Sequence, residues 1–161
     1  MPELPEVQAI VEALADECVG RTVVATRALH PSLVKSVAPG LQDIVGATIG
    51  DIWRRGKLIG IDCGDLTLLI HLMQSGRLSL AAAGARAPGK IVAATITLDD
   101  RRELRLREAA AEHRMSLWVL STNQLADHAP LAALGPEPVG LAASAWKSRL
   151  AAPPGRLANA I

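Results

Sequence analysis

Apolar positions near the start of the chain recur at helical spacing: Val7, Ile10, Val11, Leu14 and Cys18 fall on one face. A helix opening around Pro5 fits them. Proline's missing N–H costs nothing in a first turn, Glu3 and Glu6 complement the positive end of the helix dipole, and Gly20 supplies a stop. Beyond Gly20 the pattern changes. Residues 22–28, 49–53, 57–62, 67–72, 91–98 and 103–107 are short runs rich in β-branched or apolar side chains, separated by turns such as Gly64-Asp65 and Asp99-Asp100. Residues 81–89 read as a loose loop. After Leu120 the composition shifts to Ala, Leu and Pro. A short helical piece at 130–134 leads to a rigid turn at Gly135-Pro136-Glu137-Pro138. A helix over 142–150 follows, ended by Pro153-Pro154-Gly155, and residues 156–161 open another. The order predicts a mainly β, α+β architecture: a two-sheet β-sandwich with an N-terminal helix, followed by the first part of a helical module.

Composition narrows the function classes. Half of the 161 residues are apolar and a fifth are charged, as in a globular protein with room for one good core. Phe and Tyr are absent and three Trp are the only aromatics, so the core rests on aliphatic side chains and base-stacking surfaces are few. Cys18 and Cys63 lie far apart; they suit neither a disulfide framework nor an all-cysteine zinc site, and read as small core residues. No apolar run is long enough to cross a bilayer and no basic-then-apolar leader opens the chain, so the expected location is cytoplasmic.

Net charge is +1, but it is unevenly spread: residues 53–107 carry ten basic and five acidic side chains, whereas residues 1–52 carry three and seven. Arg54, Arg55 and Lys57 form one basic cluster, and Arg101, Arg102, Arg105 and Arg107 another. Such a stripe suits phosphates, although charge alone favours a solvated strand face.

The opening Met1-Pro2-Glu3-Leu4-Pro5-Glu6-Val7 carries the most specific chemistry. Removal of Met1 would leave Pro2 with a secondary α-amine, whose pKa of about 8 leaves it partly neutral and nucleophilic near neutral pH. Its adduct with a carbonyl carbon is an iminium ion, an electron sink that permits β-elimination. Glu3 is placed to shuttle a proton. Taken alone, the dipeptide reads better as the ordinary beginning of a helix.

The opening motif resembles that of the formamidopyrimidine-DNA glycosylase/endonuclease VIII family, and four further segments follow it in the family's order. Arg54-Arg55-Gly56-Lys57 is similar to its basic hairpin, and His71-Leu72-Met73-Gln74-Ser75-Gly76 to its His-Leu-Gly-Met-Ser-Gly segment. His113-Arg114-Met115-Ser116, trailed by Trp118, resembles Arg-Arg-Phe-Gly, and Leu134-Gly135-Pro136-Glu137-Pro138 resembles the linker before a helix–two-turn–helix module. The resemblance implies a base-excision-repair glycosylase with lyase activity on oxidised bases. In it Pro2 attacks C1′ to form a Schiff base, Glu3 protonates the opening sugar, Glu6 orients the site and Lys57 grips phosphates. It further implies DNA contacts from Arg54, Arg55, His71, Gln74, His113, Arg114 and Met115, with His71 open also to a plain core role.

Extruding a nucleotide leaves a gap that must be filled. The family fills it with a Met, an Arg and a Phe; here Gln74, His113 and Met115 stand at those positions. Met115 is flexible and apolar enough to intercalate, and Gln74 can hydrogen-bond an orphaned base. The expected domains are a catalytic domain over residues 1–125 and, over 130–161, a partial DNA-binding module truncated within a helix. No metal site and no cofactor is expected on this chain, the family's zinc finger having no counterpart in it. The expected partner is damaged double-stranded DNA, bound by a monomer, with self-association through the apolar chain end as an alternative. A DNA-binding remnant without turnover is the rival reading. A tautomerase using Pro2 as base is a third, though that chemistry normally places a strand directly after the proline.

Overall fold

The computed structural model describes residues 2–86 and 89–151. Its architecture is the one read from the periodicity: an N-terminal helix and two four-stranded antiparallel sheets, with short helices after the last strand. Helix α1 spans Leu4–Cys18. One sheet has the order β1 (Val23–Ala28), β6 (Val92–Leu98), β7 (Glu103–Glu108), β5 (Gly76–Ala81). The other runs β2 (Ile49–Arg55), β3 (Leu58–Cys63), β4 (Leu66–His71), β8 (Ser116–Ser121). Helices α2 (Thr122–Ala126), α3 (Ala129–Ala132) and α4 (Ala143–Leu150) complete it. The stop at residues 153–155 and the helix start at 156–161 lie outside the described residues.

The helical stripe of α1 is buried as its spacing requires: Val7, Val11, Leu14 and Cys18 are all in the main core. The helix packs against β2 and β5, the edge strands of the two sheets, so it closes one open side of the sandwich. That placement carries the chain start to the tips of β2–β3 and β4–β5.

The second sheet is covered on both faces. Ile59, Ile61, Leu68, Ile70, Leu117 and Val119 face the main core, while Leu58, Leu69 and Leu120 pack outward with Trp53, Trp118, Leu125, Leu131 and Leu134. A strand buried on both sides loses polar alternation. This is why β8, with apolar residues at four consecutive positions, carries no strand pattern in the sequence. β5 was missed for the opposite reason, since Gly76, Ser79 and Ala81 leave only Leu78 and Leu80 as signal. Trp53 lies across from Gly60 in the β2–β3 register, and a Cβ at Gly60 would meet its indole at 2.2 Å. Glycine is therefore required there by close approach, and the indole Nε1 donates to Asp62 at 3.1 Å.

Cys18 and Cys63 are free and buried, as expected of core residues. Burial pushes their thiols up to about 11 and about 12, so neither is a nucleophile. Among the described residues no helix is long and apolar enough to cross a membrane.

Candidate active site

Glu3 is the N-cap of α1, in extended backbone, and its N–H donates to the Glu6 carboxylate at 2.7 Å. Glu6 thus folds back on the helix start and fixes the direction from which Pro2 enters. Pro2 is buried one residue upstream and lines a narrow crevice with Val7, Lys57, His71, Leu72 and Met73. The walls come from separate elements: the segment entering α1 brings Pro2, α1 itself brings Val7, the β2–β3 turn brings Lys57, and the end of β4 brings His71.

Lys57 reaches Glu3 directly, with Nζ 2.7 Å from Oε2. The hydrogen bond from Lys57, and then its charge, hold the Glu3 carboxyl below the usual carboxylate range, so Glu3 rests ionised. Burial, and then the Lys57 charge, lower the pKa of His71, which is therefore neutral at neutral pH. With its folded value depressed, His71 contributes stability that is present above about 6.5 and lost as pH falls through the folded value. His71→Gln should flatten that acid limb of a thermal-melt series, and an unchanged limb would place the pH sensitivity elsewhere.

The neighbouring arginines do something the sequence did not suggest. Arg54 Nη1 lies 2.6 Å from Glu137, Arg55 Nη1 lies 3.2 Å from it, and the Gly56 N–H donates to it at 2.7 Å. Arg55 also donates to the Gly135 carbonyl, and Arg54 to Gln8. The two expected phosphate contacts are engaged by the chain's own 135–137 segment, which is tied to the hairpin just before Lys57. The Gly56 N–H and both guanidiniums lower the pKa of Glu137. Two members of the second basic cluster are also internally paired: Arg102 binds Asp100 and Glu17, and buried Arg105 holds Glu103 and the carbonyls of Ala85 and Arg86. The described part of the loop read at 81–89 is thereby anchored to β7.

The turn after His71 is strained. Met73 has φ 53°, a left-handed conformation that suits glycine, and the resembling family segment carries Gly at this position. Strain of this kind is of order 1–2 kcal/mol. Met73→Gly should raise stability by up to about 1 kcal/mol in urea titration while removing a wall of the crevice. A loss of stability would show that the Met73 side chain holds the turn.

Gln74, exposed, lines a second crevice with Ser75, Ala110, Ala111, Glu112 and Arg114. Arg114 pairs with Glu112, and His113 stacks on His30 with ring centroids 4.1 Å apart. Met115 departs from expectation. It is only 1% exposed, belongs to the main core, and is not a free wedge, because the strand β8 that follows carries it inward between Leu72 and Gly76. Sequence reasoning also missed Glu137 and Glu108; the latter is buried and accepts the N–H groups of Arg114 and Met115. Among the described residues no group of three or more His, Cys, Asp or Glu is placed to hold a metal ion.

Pro2, Glu3, Lys57 and His71 are thus together, with Glu6 buttressing Glu3 and Gln74, His113 and Arg114 on adjacent loops. A helix, not a strand, follows Pro2, which the tautomerase reading does not accommodate. Residues 1–112 match the formamidopyrimidine-DNA glycosylase N-terminal domain. The chain is 40% identical over 139 residues to the formamidopyrimidine-DNA glycosylase of Geobacter sulfurreducens, covering 86% of this chain and 50% of that protein. It is 30% identical over 141 residues to the Bacillus subtilis enzyme of the same name, with 86% and 50% covered. Among solved structures it is similar to MutM in complex with DNA containing carbocyclic 8-oxo-G, with TM-score 0.77, 28% identity, and 86% and 52% of the two chains covered. It is likewise similar to the Lactococcus lactis enzyme bound to abasic-site DNA, with TM-score 0.76, 27% identity, and 86% and 53% covered. The chain spans about half the length of the curated relatives it matches. On the sequence match and the shared fold together, this chain belongs to the formamidopyrimidine-DNA glycosylase family and carries its N-terminal domain.

Proposed function

We propose that this chain supplies the catalytic half of a base-excision-repair DNA glycosylase with lyase activity, acting on oxidised bases through the amine of Pro2. The observation that carries the reading is the convergence of buried Pro2 with Lys57 and His71, beside a Glu3–Lys57 ion pair of 2.7 Å. Damaged DNA as substrate class is supported by the relatives' complexes, whose DNA carries 8-oxo-G or an abasic site. The setting is cytoplasmic and the acting form a monomer on duplex DNA. Residues 130–161, tied to the hairpin through Glu137, supply the first part of a DNA-binding module.

The chemistry follows from charge states. With Met1 removed, ionised Glu3 takes the proton of the Pro2 ammonium and frees its lone pair. The amine attacks C1′ and the glycosidic C–N bond breaks; the base leaves with the electron pair and takes the proton that the Pro2 nitrogen sheds on forming the new bond. The sugar ring opens to an iminium, its O4′ taking a proton from Glu3. Loss of a C2′ proton then expels the 3′-phosphate, and water releases the unsaturated aldehyde from the amine. Lys57 links these steps. When a DNA phosphate draws Lys57 away, Glu3 loses the partner that keeps its pKa low, and so holds a proton more readily as the sugar opens.

The test is incubation of the Met1-processed chain with an abasic-site oligonucleotide. A nick with a 3′-unsaturated aldehyde is expected. Binding without nicking would leave only the DNA-binding reading. Lys57→Ala should slow nicking and reduce the slope of log affinity against log salt by about 0.7–0.9, the share of one phosphate. An unchanged slope and rate would make Lys57 an ordinary surface lysine. Arg86→Ala, on an exposed loop, should change neither.

A further inference from the structure

Glu108 is a buried carboxylate that the proposed chemistry does not use. It ends β7, is 2% exposed, and lies opposite Gly76 in the β5–β7 register. Its oxygens accept three donors from two separate loops. The Ser75 hydroxyl donates at 3.1 Å from the β4–β5 turn, and the backbone N–H groups of Arg114 and Met115 donate at 3.0 and 3.2 Å from the β7–β8 loop. His113 Nδ1 lies 3.9 Å away, and the His113 ring stacks on His30 from the segment after β1. One carboxylate therefore joins the loop bearing Met73 and Gln74 to the loop bearing His113 and Arg114. The first of these loops also walls the Pro2 crevice through Met73. A buried anion is tolerated only when such donors surround it, and their removal lets both loops go.

We propose that Glu108 is a positioning residue that fixes these two loops as a single wedge, presenting Gln74 and the His30-backed His113 ring to the unpaired base left when a nucleotide is extruded. This rests on the proposed glycosylase reading. Met115, held in the core by the same carboxylate, then serves as an anchor of the wedge and not as its tip. In a chain without Phe or Tyr, a stacked imidazole pair supplies the flat ring that a base can stack on.

Glu108→Gln keeps the shape but turns one acceptor into a donor facing N–H groups. The probe is a duplex with 2-aminopurine opposite an abasic site, compared with borohydride trapping on the same strand alone, where nothing has to be wedged apart. Glu108→Gln should weaken duplex affinity roughly tenfold and flatten the 2-aminopurine response, with a far smaller loss in single-strand trapping rate. Combined with His113→Ala, it should cost no more than the worse single change, because one acts through the other. Ser75→Ala, which removes only one donor, should show the same pattern more weakly in a chain that folds normally. Additive effects of Glu108→Gln and His113→Ala, or equal losses on duplex and single strand for both Glu108→Gln and Ser75→Ala, would overturn the proposal. Absence of single-strand trapping by the unaltered chain would instead overturn the glycosylase reading itself.

Discussion

Retention of Met1 is expected to abolish covalent capture of abasic-site DNA, by at least roughly 10³-fold, the scale on which loss of a nucleophile acts. With Met1 in place the Pro2 nitrogen is a tertiary amide without a usable lone pair, while the rest of the crevice is untouched. The comparison therefore isolates one atom. Pro2→Gly is the milder companion. It leaves a primary amine that still forms an imine, but loses the ring packed against Val7, Lys57 and His71, so trapping slows without vanishing. Equal trapping with and without Met1 would mean that some other amine does the chemistry.

The second large effect is expected from Gly76→Ala. A Cβ at Gly76 would lie 2.2 Å from the Leu72 carbonyl oxygen and 2.9 Å from Met115 Sδ. The thioether is flexible and can yield. The carbonyl cannot, because it accepts the Gly76 N–H at 2.9 Å and closes the turn that carries Met73, Gln74 and Ser75. Insertion of one methyl into packed backbone costs about 1–3 kcal/mol and at times more, and here the displaced atoms are those of the wedge turn. A midpoint drop of several degrees is expected, with a loss of duplex affinity larger than the loss of folded protein. A silent substitution would show that the turn has another conformation available.

The legible parts of the fold are those where one face is wet. The stripe of α1 came through whole, since its opposite face is polar and exposed. β8 did not, because Leu117 and Val119 face one core while Trp118 and Leu120 face the other. For the site, residue chemistry alone points to Pro2 and Glu3 and marks Lys57 only as one of a basic cluster; the family resemblance gives Lys57 its place beside them and adds His71. The carboxylates that organise the site were invisible for a physical reason. Glu137 meets Arg54 across 83 positions, and no local pattern encodes such a partner. Glu108 left a faint trace: with Leu104 and Leu106 it sits on the same face of β7, so alternation itself directed a charge into the core. Met115 is flexible enough to suggest a wedge, whereas its position at the threshold of β8 packs it in the core.

In the proposed chemistry the Pro2 nitrogen becomes bonded to the sugar carbon of damaged DNA. The most direct test of that bond is to reduce the complex of the Met1-processed chain and abasic-site DNA with borohydride, digest it, and locate the sugar-derived mass by peptide fragmentation. The mass is expected on the N-terminal peptide, on the nitrogen of Pro2. A stable adduct found instead on Lys57, or on any other lysine, would contradict it.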